Sequence, residues 1–198
     1  MDTERPIVKL PAPRTDGSMA LEVALARRRT IRDVAPHPLT EAEIGQLLWA
    51  AQGITHDEVR RTAPSASSLF PLEVYVATAA GLAHYLPAAH ALEQLSDVDL
   101  RPALRAATRD QPFVGMAPLL VIICAVADRL AGRHGPDRAV RYAALEAGHA
   151  GQNLLLQAVA LDLGTVPIGS FVDDEVSLVL GLAVGEAPLY LFAVGRLP

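Results

Sequence analysis

The chain has 198 residues, enough for one domain with a sizeable core. Hydrophobic residues make up 51% of it and charged residues 20%, a globular composition rather than a disordered one. Its formal net charge of −5 excludes a global basic field for nucleic acid, so any anion site must be local.

Residues 1–18 read as an extended arm, with Pro6, Pro11 and Pro13 excluding helix and Gly17 closing it. Such an arm gains stability only by lying on another surface, a partner subunit among the candidates. Its polar, proline-rich order is not that of a signal peptide, and no apolar stretch is both long and charge-free enough for a membrane. The single cysteine, Cys124, rules out an internal disulfide and, inside "APLLVIICAVA", reads as a buried strand thiol. The expectation is a cytoplasmic protein that engages neither membrane nor nucleic acid.

Residues 19–198 read as a single domain. "MALEVALARRRT" (19–30) places Leu21, Ala24, Leu25 and Arg28 at helical spacing. "LTEAEIGQLLWAAQG" opens on a capping box, Thr40 with Glu43, and is ended by Gly53. "RRTAPSASSLFP" reads as a loop feeding a strand in "LEVYVATAA", where Val74 and Val76 alternate with Tyr75 and Ala77. Residues 88–109 read as two helical pieces around "SDVD", and "PLLVIICAV" as a central strand. From about 138 to 163 runs a long apolar helix, expected to be buried nearly all round, in the core or at a subunit interface. "TVPIGSF" reads as a loop, "DDEVSLVLGL" as a short helix capped by Asp173 or Asp174, and "PLYLFAVGRLP" as a final strand with Arg196 just beyond it. No regular run of βα units is apparent, so an α+β layer fold fits better than a doubly wound sheet.

The usual glycine-loop nucleotide signatures are missing, as are metal-ligand spacings and a G-x-S-x-G nucleophile. The six histidines are scattered; His149, in the long helix, reads as a satisfied core or interface histidine before it reads as a base. Three weaker features remain. In "LARRRTIRDV", Arg28, Arg29 and Thr30 fall at a helix C-terminus, where cations complement the dipole, so a solvated basic helix end is the leading reading. Arginine forks and a hydroxyl also suit phosphate oxygens. The proline–serine loop at 60–73 and "GTVPIGSF" at 164–171 are each either ordinary connections or places where backbone can approach a planar ligand.

Taken in order, these stretches resemble the nitroreductase-like flavoprotein superfamily, and most closely its branch of azoline-oxidising, SagB/ThcOx-type dehydrogenases. The resemblance runs through "RRRTIRDV", "LLWAAQGI", "RRTAPSASSLFPLEVYV", "QPFVGMAPLLVII", "RYAALEAGHAGQNLLLQAVALDLGTVPIGSF" and "APLYLFAVGR", covering residues 20–197 almost continuously. It implies an α+β fold with a central mixed β-sheet flanked by helices, in an intertwined homodimer holding two FMN molecules at its interface. By the same resemblance, Arg28, Arg29, Thr30 and Arg32 meet the FMN phosphate and ribityl chain. Pro64, Ser65, Ala66 and Ser67 reach the cofactor from the other subunit; many relatives carry glycine where Ser67 stands. Gln111 meets the flavin pyrimidine edge, Pro167, Ile168, Gly169 and Ser170 form the loop facing flavin N5, and Arg196 adds to the phosphate site.

The implied activity is an FMN-dependent oxidoreductase taking electrons from NADH or NADPH and passing them to a nitroaromatic, quinone or similar small acceptor. A flavin-binding homologue without catalysis, a partner subunit, and an azoline-type dehydrogenase are the alternatives. Azoline-oxidising members carry a lysine–tyrosine pair as base. The corresponding dyad here is Arg141–Tyr142, whose arginine cannot deprotonate at neutral pH. Tyr142 is left as the candidate proton donor. Substrate specificity is expected of lid helices within 81–110.

Overall fold

Side chains alternate across a strand, and the central strands here bury both of their faces. In β4 (Leu72–Thr78) Val74 and Val76 face one core, while Tyr75 and Ala77 face another. In β7 (Leu119–Val126) Leu119, Val121 and Ile123 join the first, and Leu120, Ile122 and Cys124 the second. The Cys124 thiol is therefore a strand thiol, and burial pushes its pKa up. The protein is thus an α+β layer structure with a doubly covered sheet, seen in a computed structural model that describes residues 5–56 and 59–198.

Seven strands form the sheet: β1 (Ile7–Lys9), β4, β5 (Gly81–Leu86), β6 (Ala91–Ser96), β7, β8 (Leu163–Ile168) and β9 (Glu186–Arg196). Their spatial order is β1-β6-β5-β4-β7-β9-β8. A mixed sheet is the expectation; the strands instead pair antiparallel throughout, and the parallel component reduces to a bridge between Thr30 and Thr165. Tight turns link β4, β5 and β6, and a short connection can join only antiparallel neighbours. A second, two-stranded ribbon pairs β2 (Ile54–His56) with β3 (Arg60–Arg61).

One core is closed by α2 (Glu41–Gln52) and α6 (Pro136–Ala160). The expected capping box is present: the Thr40 hydroxyl accepts from the Glu43 N–H, and the Glu43 carboxylate accepts from the Thr40 N–H at 2.7 Å. Helix α6 turns a face of small residues to the sheet. A Cβ at Gly151 would lie 2.6 Å from the Phe192 ring, so this close approach needs glycine. Within one chain the helix is buried on its sheet side only, and Val140 and Leu145 are 60% and 57% exposed on its outer side. The other core is covered by α3 (Arg101–Ala107), α4 (Pro112–Met116) and α7 (Asp173–Leu180), while α5 (Asp128–His134) leads into α6.

Several segments differ from expectation. The first four residues of the expected arm lie outside the described residues; the rest lies on its own chain, β1 pairing with β6 and the Arg14 N–H donating to the Gln46 amide. The first of the two helical pieces expected in 88–109 is strand, so β5 and β6 form a hairpin where lid helices are expected, and helix begins only at Arg101. Gly81 makes the hairpin possible, with φ of 122° and no room for a Cβ beside the Ser96 carbonyl. "TVPIGSF" is mostly strand: β8 runs to Ile168, and Pro167 is tolerated because β8 is an edge. Val172, not an aspartate, caps α7; Asp173 and Asp174 occupy its first turn, where their charge still complements the dipole. Arg196 is the last residue of β9 rather than the one beyond it.

Candidate functional site

The arginine stretch leaves a helix and crosses the sheet edge. Helix α1 (Leu21–Arg27) ends with the Arg28 N–H bonded to the Ala24 carbonyl at 2.9 Å. The chain then runs extended along β8 and β9: the Ile31 N–H donates to the Thr165 carbonyl and the Ala35 N–H to the Arg196 carbonyl, both at 2.9 Å. Two glycines in those strands admit it. A Cβ at Gly195 would lie 2.8 Å from Val34, and one at Gly164 3.0 Å from the same side chain. The segment that carries Arg28, Arg29, Thr30 and Arg32 is therefore held by backbone bonds and by apolar anchors rather than by its guanidinium groups.

Residues distant in sequence join it there. The Arg32 guanidinium lies 5.9 Å from the centre of the Phe113 ring in α4, a cation–π contact. Gln111, at the N-cap of α4, donates through Nε2 to the Thr108 carbonyl at 2.8 Å and to the Ser170 carbonyl at 3.1 Å. This ties the start of α4 to the segment after β8. Within that segment Ile168 is buried, Pro167 half-buried, and Gly169 looks onto open space. Thr30, Arg32, Gln111, Gly169 and Ser170 thus belong to one region at the β8 edge.

Arg28, Arg29 and Arg32 form no ion pair with any described residue, whereas Arg5, Arg101, Arg105, Arg129 and Arg196 each do. Three cations on one short segment, without a carboxylate partner among the described residues, together with the Thr30 hydroxyl fit a phosphate-bearing ligand. Arg196 is placed differently. Its guanidinium turns to Glu43 at 2.8 Å, in the capping box of α2. Burial works to raise the Glu43 pKa, but the Thr40 donors and Arg196 prevail and hold it below the ordinary carboxylate value.

The proline–serine turn lies elsewhere. Thr62 anchors its start, donating its N–H to the Gly53 carbonyl and accepting from the Asn153 side chain of α6 at 3.2 Å. The Ser65 Oγ accepts the Phe70 N–H at 2.9 Å, folding residues 65–70 into a tight turn. Ser67 has φ of 54°, in the left-handed region that favours glycine. The Ser67 hydroxyl lies 3.1 Å from Nε2 of His134, whose ring meets Tyr142 edge-on at 5.1 Å. Arg141 lies 5.9 Å from the Tyr142 ring, a cation–π contact.

Pro64, Ser65 and Ala66 line a cleft of about 270 Å³ with Tyr142, Leu145, Glu146 and His149 of α6. Glu146, His134 and Arg61 were not singled out by the sequence reading. For Glu146 a signal existed: it is the only acid between Asp137 and Asp162, in an otherwise apolar helix. It is 3% exposed, and burial pushes its pKa up to about 7 against the lowering influence of Ser65, Arg61 and Ala66.

The two groups pack on opposite faces of the sheet. Ile31, Val34, Phe113, Val166 and Ile168 belong to one core; Ala66 and Tyr142 belong to the other. One chain does not bring them together. No cluster of His, Cys, Asp or Glu among the described residues could hold a metal ion, and no described helix is long and apolar enough to cross a membrane.

Residues 25–196 match the nitroreductase family. A protein of Methanocaldococcus jannaschii, provisionally named a nitroreductase, is 37% identical over 182 residues, covering 89% of this chain and 90% of its own. The crystal structure of a provisionally named nitroreductase from Ralstonia eutropha superposes with a TM-score of 0.88 at 33% identity, over 100% of this chain and 92% of that one. The NADPH:FMN oxidoreductase of Vibrio harveyi, solved with NAD+, shares the fold at 22% identity and a TM-score of 0.66, over 89% of this chain and 68% of that one.

Proposed function

This chain belongs to the nitroreductase family and is an oxidoreductase of the flavin type; from that premise we propose that it binds FMN between two copies of itself and carries electrons from NADH or NADPH to a nitroaromatic, quinone or similar small acceptor. The observation that carries the reading is a short segment bearing Arg28, Arg29 and Arg32, without an ion pair to any described residue, that brings Thr30 and Arg32 to the same sheet edge as Gln111 and Ser170. The Vibrio harveyi relative, named for FMN and NADPH, supports the choice of cofactor and donor.

When bound, FMN supplies the hydride and electron chemistry; the chain's own residues bind, orient and polarise it. Arg28 and Arg32 offer charge-assisted forks to phosphate oxygens, and Thr30 a hydroxyl. The Gln111 amide is oriented by its two carbonyl partners, which leaves its Oε1 to accept an N–H from a pyrimidine edge. Gly169 exposes backbone beside it, without a side chain in the way. Pro64, Ser65, Ala66 and Ser67 lie on the other face of the sheet, so they serve the same flavin only from a second copy. No nucleophile or metal is needed by such chemistry.

The test is an anaerobic two-step reaction of the FMN-loaded protein. NADH or NADPH should bleach the flavin's long-wavelength absorbance, and a nitroaromatic or quinone should restore it. Bound flavin that neither nicotinamide reduces would make the protein a flavin carrier instead.

A further inference from the structure

Glu146 is placed where a carboxylate is costly. Both of its carboxyl oxygens are closed off from solvent without an aligned hydrogen-bond partner, and the donors turned towards them are the Ser65 hydroxyl and the Ala66 N–H. Ser65 Oγ already accepts the Phe70 N–H at 2.9 Å, so its own proton is free to point at Glu146. An ionised Glu146 would therefore draw on donors of the same turn that presents Pro64–Ser67 outward.

We propose that Glu146 is a positioning residue that takes up one proton when the flavin at the Ser65–Ala66 turn accepts two electrons, and releases it on reoxidation; this rests on the FMN reading above. The balance is simple. The flavin gains two electrons and one proton from its reductant, and the Glu146 carboxylate gains one proton from solvent by way of the cleft beside it. The physical cause is charge. Two-electron reduction at neutral pH leaves the flavin with additional negative charge on one side of a thin turn, and a carboxylate on the other side then repels it in a medium of low dielectric constant. Protonation removes the repulsion and frees the Ser65 and Ala66 donors for the flavin side.

The surroundings of Glu146 set where this happens. From β3, Arg61 faces it and favours the ionised form; Arg61 is itself half-buried, lies 5.0 Å from the Phe70 ring, has its Nε unpartnered, and donates to the Gln52 carbonyl at 3.1 Å. Glu73, Tyr85 and Arg129 act on Arg61 from β4, β5 and α5. On α6 the neighbours are Tyr142 and His149, and His134 at the end of α5 holds Ser67. The balance of burial against the Ser65 donor, Arg61 and the Ala66 N–H brings the Glu146 pKa up to about 7, where the reduction of a neighbouring flavin can tip it.

The experiment is a potentiometric titration of the FMN-loaded protein at several values between about pH 5.5 and 8.5, comparing the wild type with Glu146→Gln. Over part of that range the wild-type potential should fall more steeply than that of the variant, by about 30 mV per pH unit, the two-electron constant for one further proton. Ser65→Ala, which keeps Glu146 but removes a donor to its ionised form, should move the steep region to higher pH. Equal slopes in the wild type and Glu146→Gln with FMN bound to both, or, should Glu146→Gln not fold, a steep region unmoved by Ser65→Ala, would overturn the proposal and leave the FMN reading intact. Failure of every chain to bind FMN would overturn both.

Discussion

Among the described residues Arg28, Arg29 and Arg32 pair with no carboxylate, whereas Arg196 pairs with Glu43. Arg28→Ala should weaken FMN binding by about 1.5–3 kcal/mol, the range for a charge-assisted hydrogen bond. Fluorescence titration of FMN checks this, and an unchanged affinity would remove the arginine from the cofactor site. Glu146 makes a second prediction, for stability. Its folded-state pKa is raised from about 4.5 to about 7, so stability is undiminished below the lower value and is lost as pH climbs from there through about 7. Glu146→Gln should therefore be more stable than the wild type above about pH 7, by up to about 3 kcal/mol, with the advantage shrinking on acidification and vanishing below about pH 4.5. Urea unfolding at the two pH extremes decides it, and an advantage equal at both would point to packing rather than charge. The arginines were legible because charge stands out in an acidic sequence. Glu146 was not, because one acid in an apolar helix does not say whether it faces water or the core.

Elements were legible where local signals and long-range packing agree. The α2 capping box could be read from Thr40 and Glu43 alone, and the structure adds that Glu43 also clamps Arg196 at the end of β9. Thr40→Ala should cost about 1 kcal/mol in thermal or chemical unfolding. Its effect on FMN affinity should be slight, since Thr40 serves the helix end and not the arginine cluster; a large loss of FMN would tie the cap to the site. The β5–β6 hairpin was misread for the opposite reason. "ALEQLS" is built from good helix formers, yet pairing with β5 on one side and β1 on the other outweighs that preference. In "GTVPIGSF" the proline argued for a loop, and only the edge position of β8, invisible in sequence, makes it acceptable in a strand. The consequence for function is that the region expected to hold lid helices is a sheet hairpin, so specificity has to be sought around α3 and α4, next to Gln111.

At the scale of the molecule, the layered α+β architecture follows from strands that bury both faces, and the division of the candidate site follows from the architecture. The arginine, Gln111 and Ser170 group and the Pro64–Ser67 turn sit on opposite faces of one sheet, so a flavin touching both groups needs two chains. Sequence could place the motifs but not the faces, because a face depends on which strand a loop leaves and which core it caps. Leu145, 57% exposed and lining the cleft beside the turn, is suited to that contact. Leu145→Asp should dissociate the pair and release FMN together, which size-exclusion chromatography with absorbance detection would follow; dissociation with flavin retained would mean that one chain suffices. The most direct test of the whole account is sedimentation velocity of the protein with added FMN, observed at the flavin's own absorbance. The account predicts that the colour sediments with two chains of 21.0 kDa each and one FMN per chain. Colourless protein that leaves all of the flavin unsedimented would contradict it.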